Sequence, residues 1–240
     1  EETIDISSYG LSVNDEGYIS NALFKCYPDI SFLFSGISFG RTSLDEDATI
    51  VSISPIYSVT SNEADEMQSN FNTKALWYLS KVNDSMDDFT KALVLHDQLV
   101  LNNYYQVQIG DYGDEDYVFS SNYTFMVNNW GRCDNYTQVY AYLLAQLGIK
   151  SEIISSSAMD HSWLKICLDG SYYNIDITWD DSLFIFNDST AQVDRPNKSL
   201  HKYFLLSDEL IGDEEVYGTD GYHYDYQSYY TDSDTYASYN

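Results

Sequence analysis

Along the middle of the chain, apolar positions recur every three or four residues. Ala64, Met67, Phe71, Ala75, Tyr78, Leu79 and Val82 form one such stripe. They predict a helix from Asn62, with Glu63, Asp65 and Glu66 in a first turn whose dipole favours acids. A second stripe, Phe89, Ala92, Leu93, His96, Leu99 and Val100, predicts a helix from Asp87 or Asp88. His96 lies on its apolar side and reads as a core or capping histidine bonded to backbone. A third helix, Cys133 to Leu147, buries Tyr136, Val139, Tyr140, Leu143, Leu144 and Leu147. Gly148 is its expected left-handed cap, with Ile149 packing back. Residues 106–122 are polar, acidic and glycine-containing, a long loop with room for one short helix.

After Gly148 the period shortens to two. Ser151–Ser155, Ser162–Leu168 and Tyr172–Thr178 read as strands, the last two joined by a tight turn at Asp169-Gly170. Nearer the N-terminus, Asn14 caps a helix with apolar positions Tyr18, Ala22, Leu23 and Cys26, ended by Pro28. Ser31–Phe39 and Thr49–Tyr57 follow as strands, with Asp45–Asp47 in the loop between them. Pro55 suggests a sheet edge or strand end. Beyond Asp181 the chain is irregular apart from a strand at Tyr203–Leu206. From Gly212 it is acidic, rich in tyrosine and without helical period, which reads as a poorly ordered end or linker. No internal repeat is present. The fold class is therefore α+β. The expected domains are a small N-terminal α+β module over 1–60, a core over 61–211, and an acidic, Tyr-rich segment over 212–240.

Charge narrows the partners. The chain has 240 residues, 11 basic against 38 acidic, for a net charge of -27. Nucleic acid and anionic membrane surfaces would repel it. No apolar run is long enough for a membrane insertion. There is no initiator Met or leader pattern, so Glu1 reads as a mature or trimmed start. Five N-x-S/T sequons occur, at Asn83, Asn122, Asn135, Asn187 and Asn197. A glycan on Asn135 would obstruct the helix start, which favours a host that does not glycosylate.

Three cysteines, Cys26, Cys133 and Cys167, allow at most one bridge, Cys26 to Cys167. Cys167, in a strand, reads as a small buried hydrophobe. Cysteine and histidine spacing matches no zinc motif, so no metal or cofactor is expected, although clustered aspartates could hold calcium loosely.

Cys133, His161 and Asp176 carry the candidate chemistry. A thiol attacks as thiolate, and a helix N-terminus favours an anion there. An imidazole can take its proton, and a carboxylate can hold that imidazole in one tautomer. The hairpin turn sets Trp163 opposite Asp176, which brings the carboxylate near His161. An acidic residue between Ile175 and Ile177 needs a partner if buried. Cys133 N–H is one donor to a developing oxyanion. Tyr123, Asn128, Asn129 and Trp130 are candidates for the second. Trp163 and Trp179 read as packing residues more readily than as substrate contacts.

These stretches also carry a family resemblance. GRCDNYTQVYAYLLAQLGI and DHSWLKICLDGSYYNIDITWDD resemble the bacterial transglutaminase-like superfamily. The matches are Gly131, Cys133, Tyr136, Leu147-Gly148-Ile149, His161, Trp163, Asp169-Gly170, Tyr173, Asp176 and Thr178-Trp179-Asp180. His96-Asp97, Tyr123 and Lys202–Glu209 extend it, and residues 1–60, with Ser54–Tyr57, resemble the small N-terminal module of secreted clostridial-type members, so that the resemblance covers most of residues 1–210. The resemblance implies a papain-like core, its Cys-bearing helix packed on an antiparallel sheet bearing His and Asp. It also implies a catalytic triad of Cys133, His161 and Asp176. Three departures stand out: Arg132 where a small or apolar residue is usual, Asn129 where Gly is common, and Leu164 in place of Asn.

The expected protein is a secreted or cell-surface thiol enzyme acting on peptide or protein substrates, cell-wall peptides among them. Its chemistry runs through a thioester, with hydrolysis placed ahead of transamidation. The other reading is a weakly active or inactive binding module for extracellular glycans or proteins. A plain scaffold would require His161 and Asp176 to lie apart from Cys133.

Overall fold

The computed structural model describes residues 3–106, 120–181, 184–185, 201–218 and 222–224. The chain forms two compact units, Glu1–Asn72 and Thr73–Asn240. Most of the loop expected over 106–122, and most of the Tyr-rich segment, lie outside the described residues.

The first unit begins with β1 (Ile4–Asp5), two short 3-10 turns, and α1 (Glu16–Cys26). The stripe expected on α1 is not its inner face: Tyr18, Ala22 and Cys26 are exposed, while Ile19, Leu23 and Phe24 turn inward. Three turns with so few apolar residues are too short a record to set the phase of the helix. β2 (Phe34–Arg41) and β3 (Ile50–Tyr57) pair antiparallel, and β1 pairs with the other side of β3. Pro55 therefore lies in the central strand, not at an edge. It is tolerated because β1 pairs only with Ser52 and Ile53, leaving no ladder bond for Pro55 to break on that side. α2 (Ser61–Leu79) links the two units. Glu63 accepts from Thr60 N and Oγ1 at its start, and its inward positions are those of the expected stripe.

In the second unit α3 (Asp88–Asn102) is capped by Asp87, whose carboxylate accepts from Thr90 N. A small parallel sheet joins β4 (Tyr104–Gln106) to β5 (Trp130–Gly131) and later to β9 (Phe184–Ile185). Between them, α4 (Asn122–Asn128) ends at Asn129 with φ 66°, a left-handed residue. That backbone favours Gly or Asn, which accounts for Asn129 at a position where Gly is common.

α5 (Cys133–Gln146) follows. Gly148 has φ 75°, Ile149 N bonds Leu144 O, and Gly148 N bonds Ala145 O, the double bond of a Schellman end. The chain then lays down β6 (Ser151–Ser156), β7 (His161–Leu168) and β8 (Ser171–Ile175). Asp169 and Gly170 both have positive φ, as the two-residue hairpin requires. α6 (Ile177–Asp180) comes next, and β10 (Phe204–Leu206) pairs with β8. Two short helices, α7 (Asp208–Ile211) and α8 (Glu214–Tyr217), structure a stretch whose sequence showed no period. The main sheet, ordered β10-β8-β7-β6, is antiparallel throughout, and α5 packs on β7 and β6. The architecture is mixed α+β with antiparallel sheets.

The third expected strand stops three residues early, at Ile175. Asp176 is not in a strand: its Oδ1 accepts from Thr178 N and Trp179 N and starts α6. A cap competes with continued alternation here, and the two N–H bonds decide it. All three cysteines are free, and Cys167 is half-buried instead of buried, across the β7–β8 ladder from Tyr172.

Candidate active site

Cys133 is the first residue of α5 and is half-buried. Asn135 fixes that helix start. Its Oδ1 accepts from Arg132 N at 3.1 Å, and its Nδ2 donates to Asn122 Oδ1 at 3.3 Å. Both sequon asparagines, Asn122 and Asn135, are thus buried and bonded, which closes them to a glycan in the folded chain. Gly131 belongs to the same device. A Cβ there would come within 2.9 Å of Asn135 Oδ1 and of a Phe125 ring carbon, so only glycine lets the cap reach Arg132. Arg132 hydrogen-bonds Tyr105, whose phenol lies within electrostatic reach of Cys133 and is pushed above its ordinary value, first by burial and then by that thiol.

His161 opens β7, opposite Ser156 of β6. Thr137, one turn into α5, ties the two elements together. Its Oγ1 lies 2.8 Å from Cys133 O and 3.0 Å from Ser162 O, and its one proton is shared between those carbonyls. The Cys133 thiol is close enough to the His161 ring to favour its charged form. The ring's Nε2 lies 2.5 Å from Asp176 Oδ2. Trp179 stacks on the imidazole at 5.0 Å and 18° between planes, and Trp163, on the same face of β7, is near-parallel at 6.0 Å. Cys133, His161 and Asp176 are therefore brought together, in that order.

Asp176 is fully buried, and all its acceptor capacity is used. Oδ1 takes the two backbone N–H groups of α6. Oδ2 takes His161 Nε2 and, at 2.7 Å, His223 Nε2. Burial pushes this carboxyl up, but the two imidazoles outweigh it and hold it below the ordinary carboxylate range. For His161, burial works against the charged ring. The charge and hydrogen bond of Asp176, then the contact with Cys133, override it and push the ring up to about 10.

The signs set a pH profile. His161 is raised in the fold, so its stabilising contribution is whole below the ordinary imidazole value near 6.5 and is lost as pH rises towards about 10. Asp176 is depressed, so its contribution is kept above the ordinary carboxylate range and lost only as acid protonates it. Denaturant unfolding of the parent and a His161→Gln variant, compared from neutral to alkaline pH, is expected to show the parent's advantage shrinking steadily. An advantage independent of pH over that window would contradict the pairing.

His223 is the residue that sequence reasoning missed. It is buried against Trp163 at 4.5 Å and Trp179 at 4.5 Å, and its backbone N–H is bound by Ile211 O. It falls in an acidic, Tyr-rich stretch far along the chain from Asp176. The sole signal was scarcity, since the chain has four histidines. Among the described residues its Nδ1 has no hydrogen-bond partner.

A second network lies beyond the far end of α6. His96 is not bonded to backbone as expected. Its Nε2 is 3.1 Å from Asp180 Oδ2 and its Nδ1 is 3.1 Å from Asp97 Oδ1, while His201 Nε2 is 2.7 Å from the same Asp97 oxygen. All four histidines of the chain thus face aspartates. Burial lowers the His96 ring, but the two carboxylates raise it on balance; burial raises Asp180. Tyr136, matched in the sequence without a role, donates to Asp181.

No protein-family model and no curated protein matches the chain. Solved structures match in part. The crystal structure of a TGase is 13% identical over 70% of this chain and 48% of its own, with TM-score 0.37. A candidate cysteine protease from Cytophaga hutchinsonii is 10% identical over 59% of this chain and 62% of its own, with TM-score 0.34. A candidate protease from Parabacteroides distasonis is 13% identical over 58% and 35%, with TM-score 0.33. The chain spans about half the length of the TGase it matches.

Proposed function

We propose that this chain is a transglutaminase-like thiol enzyme that cleaves peptide or amide bonds of extracellular peptides or proteins. One observation carries the reading: a single imidazole, His161, bonds the buried Asp176 carboxylate through Nε2 and lies within electrostatic reach of the Cys133 thiol. Cys133 Sγ, its proton passed to His161, attacks the substrate carbonyl carbon. The negative charge that develops on the carbonyl oxygen faces the Cys133 N–H in the first turn of α5. His161 then protonates the leaving amine, the C–N bond breaks, and a thioester remains on Cys133. Water, deprotonated by His161, adds to the thioester and releases the acid and the thiol. Asp176 stays ionised throughout, holding the ring and stabilising its charged form. Transamidation differs only in that an amine replaces water, which requires a site that excludes water from the thioester. Product analysis with a labelled primary amine present separates the two. The expected result is chain cleavage to a free acid; amine incorporated at glutamine would replace the hydrolase reading with a transamidase one.

A binding module is the second reading, favoured by Arg132 beside the nucleophile, where its hydrogen bond to Tyr105 adds bulk and charge at the thiol. Thiol reactivity discriminates. Alkylation at mildly acidic pH, mapped by mass spectrometry, is expected to be much faster at Cys133 than at exposed Cys26 or half-buried Cys167. Equal rates at Cys133 and Cys26 would leave the binding module standing and remove the enzyme.

A further inference from the structure

We propose that His96, Asp97 and His201 form a binding site for one divalent transition-metal ion of the zinc, cobalt or nickel class. The three donor atoms lie within 4.8 Å of one another. Asp97 Oδ1 stands 3.1 Å from His96 Nδ1 and 2.7 Å from His201 Nε2. Ligands bonded at about 2.0–2.2 Å in a tetrahedron lie roughly 3–3.5 Å apart, so the set needs only a slight opening to admit an ion.

Proton accounting points the same way. Asp180 is fully buried and accepts from His96 Nε2, which places that ring's proton there in its neutral form. Nδ1 is then a lone pair aimed at a carboxylate. A metal ion beside Asp97 Oδ1 would take that lone pair. Asp180 is itself fixed, its Oδ1 accepting from Tyr203 N at 2.9 Å. A carboxylate orienting the far nitrogen of a ligand imidazole is the usual outer support of such metals.

The donor types select the ion. Two imidazoles and one carboxylate suit zinc, cobalt or nickel, whereas calcium and magnesium take oxygen. Three protein ligands leave a position for water. His96 forms a buried floor, packed on Phe204 at 4.9 Å, while Asp97 and His201 are each about one-third exposed, which gives an ion access. His161, Asp176 and His223 offer three donors at similar spacing, but Asp176 and His223 are closed to solvent and Asp176 Oδ1 is held by two N–H groups of α6, so an ion has no access there.

The site is independent of the thiol chemistry, and its test is made independent too. Cobalt(II) is titrated into the Cys133→Ala protein at physiological ionic strength, so that the acidic surface binds cations weakly. One equivalent is expected to bind, with visible d–d bands, no thiolate charge-transfer band, and a rise in melting temperature. Asp97→Asn and His201→Ala, at partly exposed positions, should each fold and each weaken binding by about 100-fold or more. Binding that survives both substitutions would mean diffuse capture by the acidic surface and would overturn the site, as would no binding in the Cys133→Ala protein. A thiolate band would place the ion on Cys26 or Cys167 and overturn it equally.

Discussion

Replacing Asp176 with asparagine is expected to slow alkylation and turnover at Cys133 by roughly 10^3- to 10^4-fold, the scale seen when a triad carboxylate becomes an amide. The reason is a count of acceptors. The carboxylate takes four N–H groups, two from the start of α6 and two from the imidazoles of His161 and His223. An amide has one oxygen. If that oxygen faces the rings, its NH2 meets the Thr178 and Trp179 N–H groups; if it faces the helix, the NH2 meets two imidazole N–H groups. Either way, buried donors confront donors, and His161 loses the charge that keeps it an imidazolium up to about 10. A stability loss of roughly 3–5 kcal/mol accompanies the rate loss, as for breaking a buried ion pair. Rates measured well below the variant's melting temperature separate the two effects. An Asp176→Asn protein whose Cys133 reacts at the parent's rate would sink both the triad and the mechanism drawn from it.

Asp208→Ala is expected to cost about 3–5 kcal/mol of unfolding free energy, at the lower end because Asp208 keeps some contact with water. Lys165 is fully buried in β7, and its Nζ lies 2.6 Å and 2.8 Å from the two Asp208 oxygens. Asp208 also accepts from Asn174 Nδ2 at 2.8 Å, and Asn174 Oδ1 accepts from the Trp163 indole at 3.1 Å. The chain of bonds thus runs from the first turn of α7 through β8 into the packing around His161. Alanine leaves an ammonium in the sheet with its main counter-ion gone. Replacing both partners with Lys165→Met and Asp208→Leu should recover most of the loss, because neither charge is then stranded. Urea unfolding of the parent and the two variants measures it. An Asp208→Ala protein within ~1 kcal/mol of the parent would mean that the pair is solvated like a surface bridge.

The two predictions differ in how far sequence could have led to them. Lys165 reads as one more residue of an alternating strand, and nothing local says that its head is buried. Asp176 stood out at once as an acid between isoleucines. Its neighbours in space were half legible: the Asp169-Gly170 turn sets the β7–β8 register and so puts the His161 end of β7 beside it. His223 was not legible, because its place depends on the course of the chain after α8, where no periodic signal operates. His96 was legible as buried but not as bonded to aspartates, since Asp180 lies 84 residues further along.

By itself the sequence determined what local physics can enforce. Apolar spacing set α2, α3 and α5, Gly148 stopped α5, and the turn residues fixed the hairpin. Cys133 at the start of α5 and His161 at the start of β7 followed from those bounds. Tertiary structure decided what depends on contacts between distant segments. It chose the inward face of α1, ended β8 at Ile175 so that Asp176 could cap α6, seated a second imidazole on that carboxylate, and paired His96 and His201 with Asp97. A period constrains a face and a cap constrains an end. The partner of a buried charge is set only when the whole chain has closed around it.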